Sequence, residues 1–223
     1  SRRVGREPGG YQGIIDSVED GSLAGYDILK NPNLTRLFNA IKFSGRTNNN
    51  LGIGLFNAVA RSEKAKLRNR ISGRDSIITT EALTNYNVFV LDQALKNRSY
   101  ITLTNTNVLR EGDAPDANVT GIDLALYDKK NKYGLLLKPR YSKIYDSAGG
   151  FDGFKNYLEV GKVSGKFQYS ISNDLKSAQY DPNDLGFLLS PNEFSTTARL
   201  GYNVYQANRS FLNQQYTFTA TQS

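Results

Sequence analysis

Hydrophobic and polar residues alternate along this chain in about ten runs, and a period of two is the signature of β-strands with one face unlike the other. The runs cover residues 36–44, 52–61, 84–95, 100–109, 119–127, 133–144, 154–161, 166–174, 196–205 and 211–219. Tight turns at 47–50, 96–98, 129–132, 162–165 and around 206–210 join them in pairs, and longer polar segments at 62–82, 110–118, 145–153 and 175–195 join the pairs. Short and long connections thus take turns. That rhythm predicts an all-β, antiparallel up-and-down meander of about ten long strands, part of a transmembrane β-barrel with short turns on one side and long loops on the other. A soluble β-sandwich also alternates its faces, but it has no reason to lengthen every second connection.

The composition of the faces supports the same expectation. Within 119–127, Thr120, Ile122, Leu124 and Leu126 share one face, and Gly121, Asp123 and Ala125 share the other. Tyr133, Leu135, Leu137 and Tyr141 oppose Lys138, Arg140 and Ser142; Ala198, Leu200, Tyr202 and Val204 oppose Arg199, Gly201 and Asn203. Charge is expensive in hydrocarbon, so Ile122, Leu124, Leu126, Leu135, Leu137, Leu200 and Val204 are expected to meet lipid. Asp123, Lys138, Arg140 and Arg199 are expected to face a lumen and are the candidate ligand-facing residues. The pattern weakens in 100–109, where Asn105 and Asn107 share a face with Ile101 and Leu103. Tyr86, Tyr100, Tyr127, Tyr133, Tyr141, Tyr157, Tyr205 and Phe211 stand near strand ends, where aromatic girdles are expected.

The ends have another texture. Residues 1–34 carry glycines at 5, 9, 10, 13, 21 and 25 with prolines at 8 and 32, and read as a Gly/Pro-rich extracellular loop segment preceding barrel strands over 35–223. Neither end sits where a complete barrel would place it, so the strands are expected to be a fragment of a larger barrel. Residues 60–70 fit a short helix or a strand extended beyond the membrane equally well.

Composition narrows the chemistry. The 223 residues contain no His and no Cys, which excludes His-based acid–base catalysis, His metal sites and thiol chemistry. No stretch approaches the ~18 apolar residues of a membrane-crossing helix, and the mean hydropathy of −0.50 suits a barrel, in which every second strand residue is polar. The net charge of +7 is spread along the chain without a nucleic-acid-binding motif, so no nucleic-acid partner is expected. Acidic residues gather at Asp113 and Asp116 and at Asp181 and Asp184; these are weak calcium candidates, since their spacing differs from the EF-hand pattern and Asp commonly shapes turns. No metal, no cofactor and no catalytic residue is expected. A soluble carbohydrate-binding β-domain and a carboxylate-dependent glycosidase are the alternative function classes.

Several blocks together carry a resemblance: Ser1-Arg2-Arg3-Val4-Gly5-Arg6, Lys42-Phe43-Ser44-Gly45-Arg46-Thr47, the run 51–59, Thr84-Asn85-Tyr86-Asn87-Val88-Phe89, the run 104–110, the run 116–121 and Tyr180-Asp181-Pro182-Asn183-Asp184-Leu185-Gly186. As a set they resemble the barrel portion of an uncharacterised Bacteroidota surface-protein family whose members carry an N-terminal domain similar to family 9 carbohydrate-binding modules. The resemblance implies a protein of the bacterial outer membrane with a structural or transport role. Its partners would be the lipid bilayer, with polysaccharide or other outer-membrane proteins as further expectations. The carbohydrate-binding-like domain is not among these residues, so its sugar association is not carried over, and no catalytic motif comes with the family.

Overall fold

The computed structural model describes residues 5–206 and 211–223. The chain is all-β and antiparallel, apart from one short helix. Its elements are α1 (Tyr11–Glu19), β1 (Tyr26–Lys30), β2 (Leu37–Arg46), β3 (Leu51–Ala60), β4 (Glu63–Asn69), β5 (Asp75–Glu81), β6 (Thr84–Ala94), β7 (Tyr100–Arg110), β8 (Asp116–Tyr127), β9 (Tyr133–Leu137), β10 (Arg140–Tyr145), β11 (Phe151–Lys162), β12 (Phe167–Lys176), β13 (Glu193–Val204) and β14 (Gln214–Gln222). The large sheet runs β2-β3-β6-β7-β8-β9/β10-β11-β12-β13-β14. Every neighbour in it is the next large-sheet strand along the chain, so the meander has no crossover.

β9 and β10 occupy one strand position. Leu137 pairs with Leu124 and Leu158, and Arg140 pairs with Gly121 and Lys155, which keeps a single register on both sides of the break. The break is Pro139, whose nitrogen cannot donate to the ladder. Four of the predicted tight turns are present, each closed by a residue in the left-handed region: Asn50, Asn97 with Arg98, Asn131 and Gly165. At Asn97–Arg98, positive φ at both central residues matches the right-handed twist of the flanking strands. The turn predicted at 206–210 lies mostly outside the described residues, and β14 begins at Gln214 rather than at 211.

The alternation of short and long connections is weaker than the sequence suggests. Strand pairing extends into two predicted loops, through Val108–Ala117 and Tyr145–Asp116, and leaves only 111–115 and 146–150 unpaired. The polar and small residues there satisfy a strand as well as a loop. The long excursions that remain, 61–83 and 177–192, leave the same end of the sheet.

The segment 5–34 is more regular than its glycines suggest. α1 forms despite Gly13 because Ile14 is buried against Ala65 and Leu67, and Gln12 bonds Asp16 one turn on. Tertiary burial outweighs weak local propensity here. β4, the segment left between helix and strand, is a strand. It lies between β1 and β5 in a small three-stranded sheet on which α1 packs. Glu63 opens β4 and is almost completely buried, with its carboxylate held by Arg36 through two side-chain bonds of 2.9 and 3.1 Å and by the Arg36 backbone N–H at 3.2 Å. This pair ties the small sheet to the start of β2.

The large sheet has two unlike faces. One carries Ile53 and Leu55, Phe89 and Leu91, Ile101 and Leu103, Ile122 to Leu126 in alternate positions, Leu135 and Leu137, Leu158 and Val160, Ile171, Ala198 and Leu200, and Phe218. Among the described residues no helix or second sheet covers it: Leu55, Leu126, Val160, Ile171, Leu200 and Phe218 are all more than 40% exposed. Beyond this apolar band the same face turns amide-rich. Asn57 donates to Asn85 and Asn87, Asn105 to Asn118 and Thr120, and Asn173 to Thr196.

The edge of the band drifts across the ladder between β3 and β12. On β3 the last apolar residue before the amides is Leu55, whose row of partners reaches β8 at Thr120. On β12 it is Ile171, whose row reaches β8 at Leu126, six residues further along. β13 and β14 keep the level of β12, ending at Ala198 and Ala220. Between β3 and β12 lie six strand-to-strand steps, so the edge moves by one residue per strand. With a rise of ~3.3 Å and a spacing of ~4.8 Å, the strands lean at roughly 35° to the normal of the band.

The Arg36–Glu63 pair has a pH signature. Arg36 hydrogen bonding holds the Glu63 carboxyl below its usual range against the opposing effect of burial. A lowered native value means that the pair's stabilisation is complete above the ordinary carboxylate value of ~4.3 and is lost as pH falls through the native value. Glu63→Gln is therefore expected to weaken amide-exchange protection of β4 by ~1–3 kcal/mol near neutrality. The difference from the unsubstituted chain should close as pH drops below ~4; a difference that persists unchanged at pH 3 would refute the assignment.

Candidate functional site

The face opposite the apolar band carries the charge. Strand register places Asp123, Lys138, Arg140 and Arg199 together on it, as their alternation predicts. Lys155, Tyr157 and Glu159 of β11 share the face, as do Asp174 and Ser172 of β12. Four cations of this face are matched across strands: Arg46 with Asp92, Arg140 with Asp123 at 2.6 Å, Lys155 with Asp174 at 3.3 Å, and Lys176 with Glu193.

Arg140 is the most constrained of them. In the ladder Pro139 lies opposite Ile122 and accepts from the Ile122 N–H at 3.0 Å, but it has no hydrogen to return to the Ile122 carbonyl. The guanidinium Nη1 of Arg140 supplies it instead, at 2.6 Å, while Nη2 reaches Asp123. To do so the side chain lies flat across β8 over Gly121, where a Cβ would collide with Arg140 Cδ and Nε. Gly121, Asp123, Pro139 and Arg140 therefore form one unit. A Lys at 140 could not serve the carbonyl and the carboxylate together.

The excursion 177–192 folds back onto this face. Tyr180 is buried, and its backbone N–H lies so close to Gly153 that any Cβ there would strike it. The Asp181 N–H donates to Ser142 Oγ at 3.0 Å. Arg110 reaches from the end of β7 to Asp184. Leu185 packs on an apolar cluster formed by Ala58, Ala60, Tyr86, Val108, Ala117 and Ile144. That cluster spans strands from β3 to β10. Burial pushes the Tyr180 hydroxyl up from its ordinary value.

Between the excursion and β9–β11 lies a cleft of about 600 Å³, lined on the sheet side by Leu136, Lys138, Arg140, Lys155, Tyr157 and Glu159, and on the other by Tyr180, Pro182, Gly186, Phe187 and Leu188. The Lys138 ammonium sits 5.7 Å from the centre of the Tyr157 ring, and the Tyr157 hydroxyl donates to Glu159 at 2.5 Å. Arg199 lines a smaller neighbouring depression that shares Glu159. Asp123 is reached only through Arg140.

The acidic candidates do not converge. Asp116 accepts from the Arg110 backbone N–H at 2.6 Å, Asp184 pairs with the Arg110 guanidinium, Asp181 accepts from the Asn183 N–H at 2.8 Å, and Asp113 is exposed. Among the described residues no three acidic side chains form a group able to hold a metal ion. The aromatic candidates divide between the faces. Tyr133 and Tyr141 lie on the apolar face, whereas Tyr86, Tyr100, Tyr127 and Tyr157 lie on the charged face, so these four do not belong to a girdle. Lys155, Tyr157 and Glu159 did not stand out in the sequence as site residues, and of the excursion only Asp181 and Asp184 did, as calcium candidates. The period-two pattern of 154–161 does place the first three opposite Leu158 and Val160.

The family described as a domain of unknown function, DUF5916, matches residues 1–223. The chain belongs to this family. No curated protein and no solved structure matches it. For this DUF5916 chain the functional reading therefore rests on the geometry above.

The docking of 177–192 depends on Gly153. Backbone cannot yield as a flexible side chain can, so Gly153→Ala is expected to release the excursion at a cost of ~1–3 kcal/mol, about ten- to a hundredfold in its opening equilibrium. Chymotrypsin should then cut after Tyr180 faster by that factor, with Phe187, already exposed, as the internal control. Unchanged resistance at Tyr180 would show that the excursion is not held there.

Proposed function

We propose that this chain forms a wall of an outer-membrane β-barrel, and that its charged face lines a polar passage narrowed by 177–192. The observation that carries the reading is the uncovered apolar band. A continuous apolar surface spanning the sheet needs a partner, since soluble monomers rarely expose such patches beyond a few hundred Å². A lipid bilayer supplies one that fits an alternating sheet. The ~35° lean of the strands against the band falls near the tilt of ~35–45° found in membrane barrels. Aromatic side chains gather at the turn-side margin of the band: Tyr133, Phe167, Tyr169, Tyr202 and Tyr216 are all exposed, and the Phe167 and Tyr169 rings are 6.0 Å apart. Such amphipathic rings suit a membrane–water interface.

Among the described residues β2 and β14 each have one unpaired edge. A membrane wall tolerates no open edge in hydrocarbon, so the proposal includes closure of the sheet by further strands, as the resemblance to a Bacteroidota surface family implies. Transport or a structural role follows from a wall with a polar inner face, and polysaccharide passage or capture is the purpose that family suggests.

A pair of substitutions tests the orientation of the wall. Leu124→Arg puts a cation into the band at a cost of ~2–4 kcal/mol near the midplane, and should lower the fraction of full-length protein recovered folded in the outer membrane. Arg199→Leu changes the opposite face at a residue with no ion pair among the described residues, and should leave that fraction unchanged. Equal effects of both substitutions, or a chain that stays in buffer without detergent, would overturn the membrane assignment.

A further inference from the structure

The cleft beneath 177–192 has a charge pattern that the sheet alone does not explain. Three cations, Lys138, Arg140 and Lys155, converge on it, with one carboxylate, Glu159. Arg140 and Lys155 are matched by Asp123 and Asp174. Glu159 accepts the Tyr157 hydroxyl and shares the neighbouring depression with Arg199, unpaired among the described residues, whose charge offsets its own. Lys138 is the cation left over: its ammonium rests over the Tyr157 ring and makes no ion pair among the described residues. Opposite it, Phe187 stands at the rim of the cleft with 70% of its surface exposed. Its ring therefore offers an open flat surface across the cleft from the Lys138 ammonium.

We infer that this cleft binds an organic anion, a single carboxylate or sulfate carried on a ring with an apolar face. The anionic group is held by the Lys138 ammonium with Lys155 and Arg140 behind it, and the ring stacks on Phe187. One uncompensated cation suits one negative charge. A doubly charged group would need a second, and a neutral ring would leave Lys138 as it is. The ligand enters between the excursion and β11, and its ring bridges 177–192 to the sheet. An acidic sugar and an aromatic acid share this chemistry. The inference rests on the reading of this face as the lining of a passage only in naming what the passage would select; the site itself requires the sheet and the excursion alone.

The test is calorimetric titration of the full-length protein in detergent micelles with monomeric galacturonate, which carries one carboxylate, with benzoate and with neutral galactose. Binding of the galacturonate probe assigns the site to acidic sugars, and binding of benzoate alone assigns it to aromatic acids. Lys138→Met keeps an unbranched side chain over Tyr157 while removing the charge, and should weaken binding of the anionic probe roughly tenfold or more, the worth of one charge-assisted contact. Phe187→Ala should weaken it as well. Lys42→Met, on the same face but on β2, should have no effect. Equal binding of the neutral probe, no binding of either anion, or an unchanged affinity in Lys138→Met would overturn the inference. A chain that binds the anion yet needs no detergent would retain the site and lose the wall.

Discussion

The register of one antiparallel ladder governs this structure. Side chains alternate with a period of two, so a slip of one residue in any pair would carry that strand's leucines to the charged face and its lysines to the apolar one. The meander leaves no freedom to compensate, because each strand's register is set against the one before it and passed to the one after. The hairpin turns fix half of these relations through residues that accept a left-handed backbone. The other half are fixed by pairing alone, and that is why strand formation runs on into 108–110 and 116–118 until only five residues remain unpaired at that corner.

At Pro139 the ladder comes closest to failing. A proline in an interior strand removes a bond and leaves a carbonyl without its donor. The neighbouring residue repairs the loss: Arg140 folds over Gly121, serves the Ile122 carbonyl and still reaches Asp123. The register is unchanged across the break, so the repair is local and complete. It also places a fixed, laterally oriented guanidinium on the charged face. Lys138, one residue before the proline, projects from that face beside it. The same irregularity that threatens the strand brings two cations within one short stretch of it.

Much of this was legible in the sequence, and the failures have physical causes. The ten runs correspond to the ten strand positions of the large sheet, because alternation is the property that a two-faced sheet demands of every strand. Asn105 and Asn107 blurred the pattern because face and depth are separate variables. Both side chains lie on the apolar face but beyond the edge of its band, where they bond or stand opposite amides of neighbouring strands. A period-two reading sees only face. Ile14, Ala65 and Leu67 escaped notice because three small or isolated apolar residues far apart in sequence make no periodic signal, yet they form the core of the small sheet. The excursion 177–192 was read as loop, which it is. Its position was not legible, since it depends on Gly153, Ser142 and Arg110, each contributed by a different strand.

The two faces also differ in how they are satisfied, and this bears on what each can do. On the charged face most paired charge is neutralised by a neighbour one or two strands away, in pairs of partial exposure where Coulomb attraction is modest and salt weakens it further. Such pairs add little stability. They do hold long side chains extended along the wall, so that the surface stays open and the uncompensated charge at Lys138 is not quenched by a stray carboxylate. On the apolar face nothing comparable is available: leucine, isoleucine and valine have no local partner to choose, and the band can be satisfied only by a medium or a surface that covers it whole. Among the described residues the charged face is therefore largely matched within itself, with Lys138 the unpaired cation of the cleft, while the apolar face has no partner anywhere along the band.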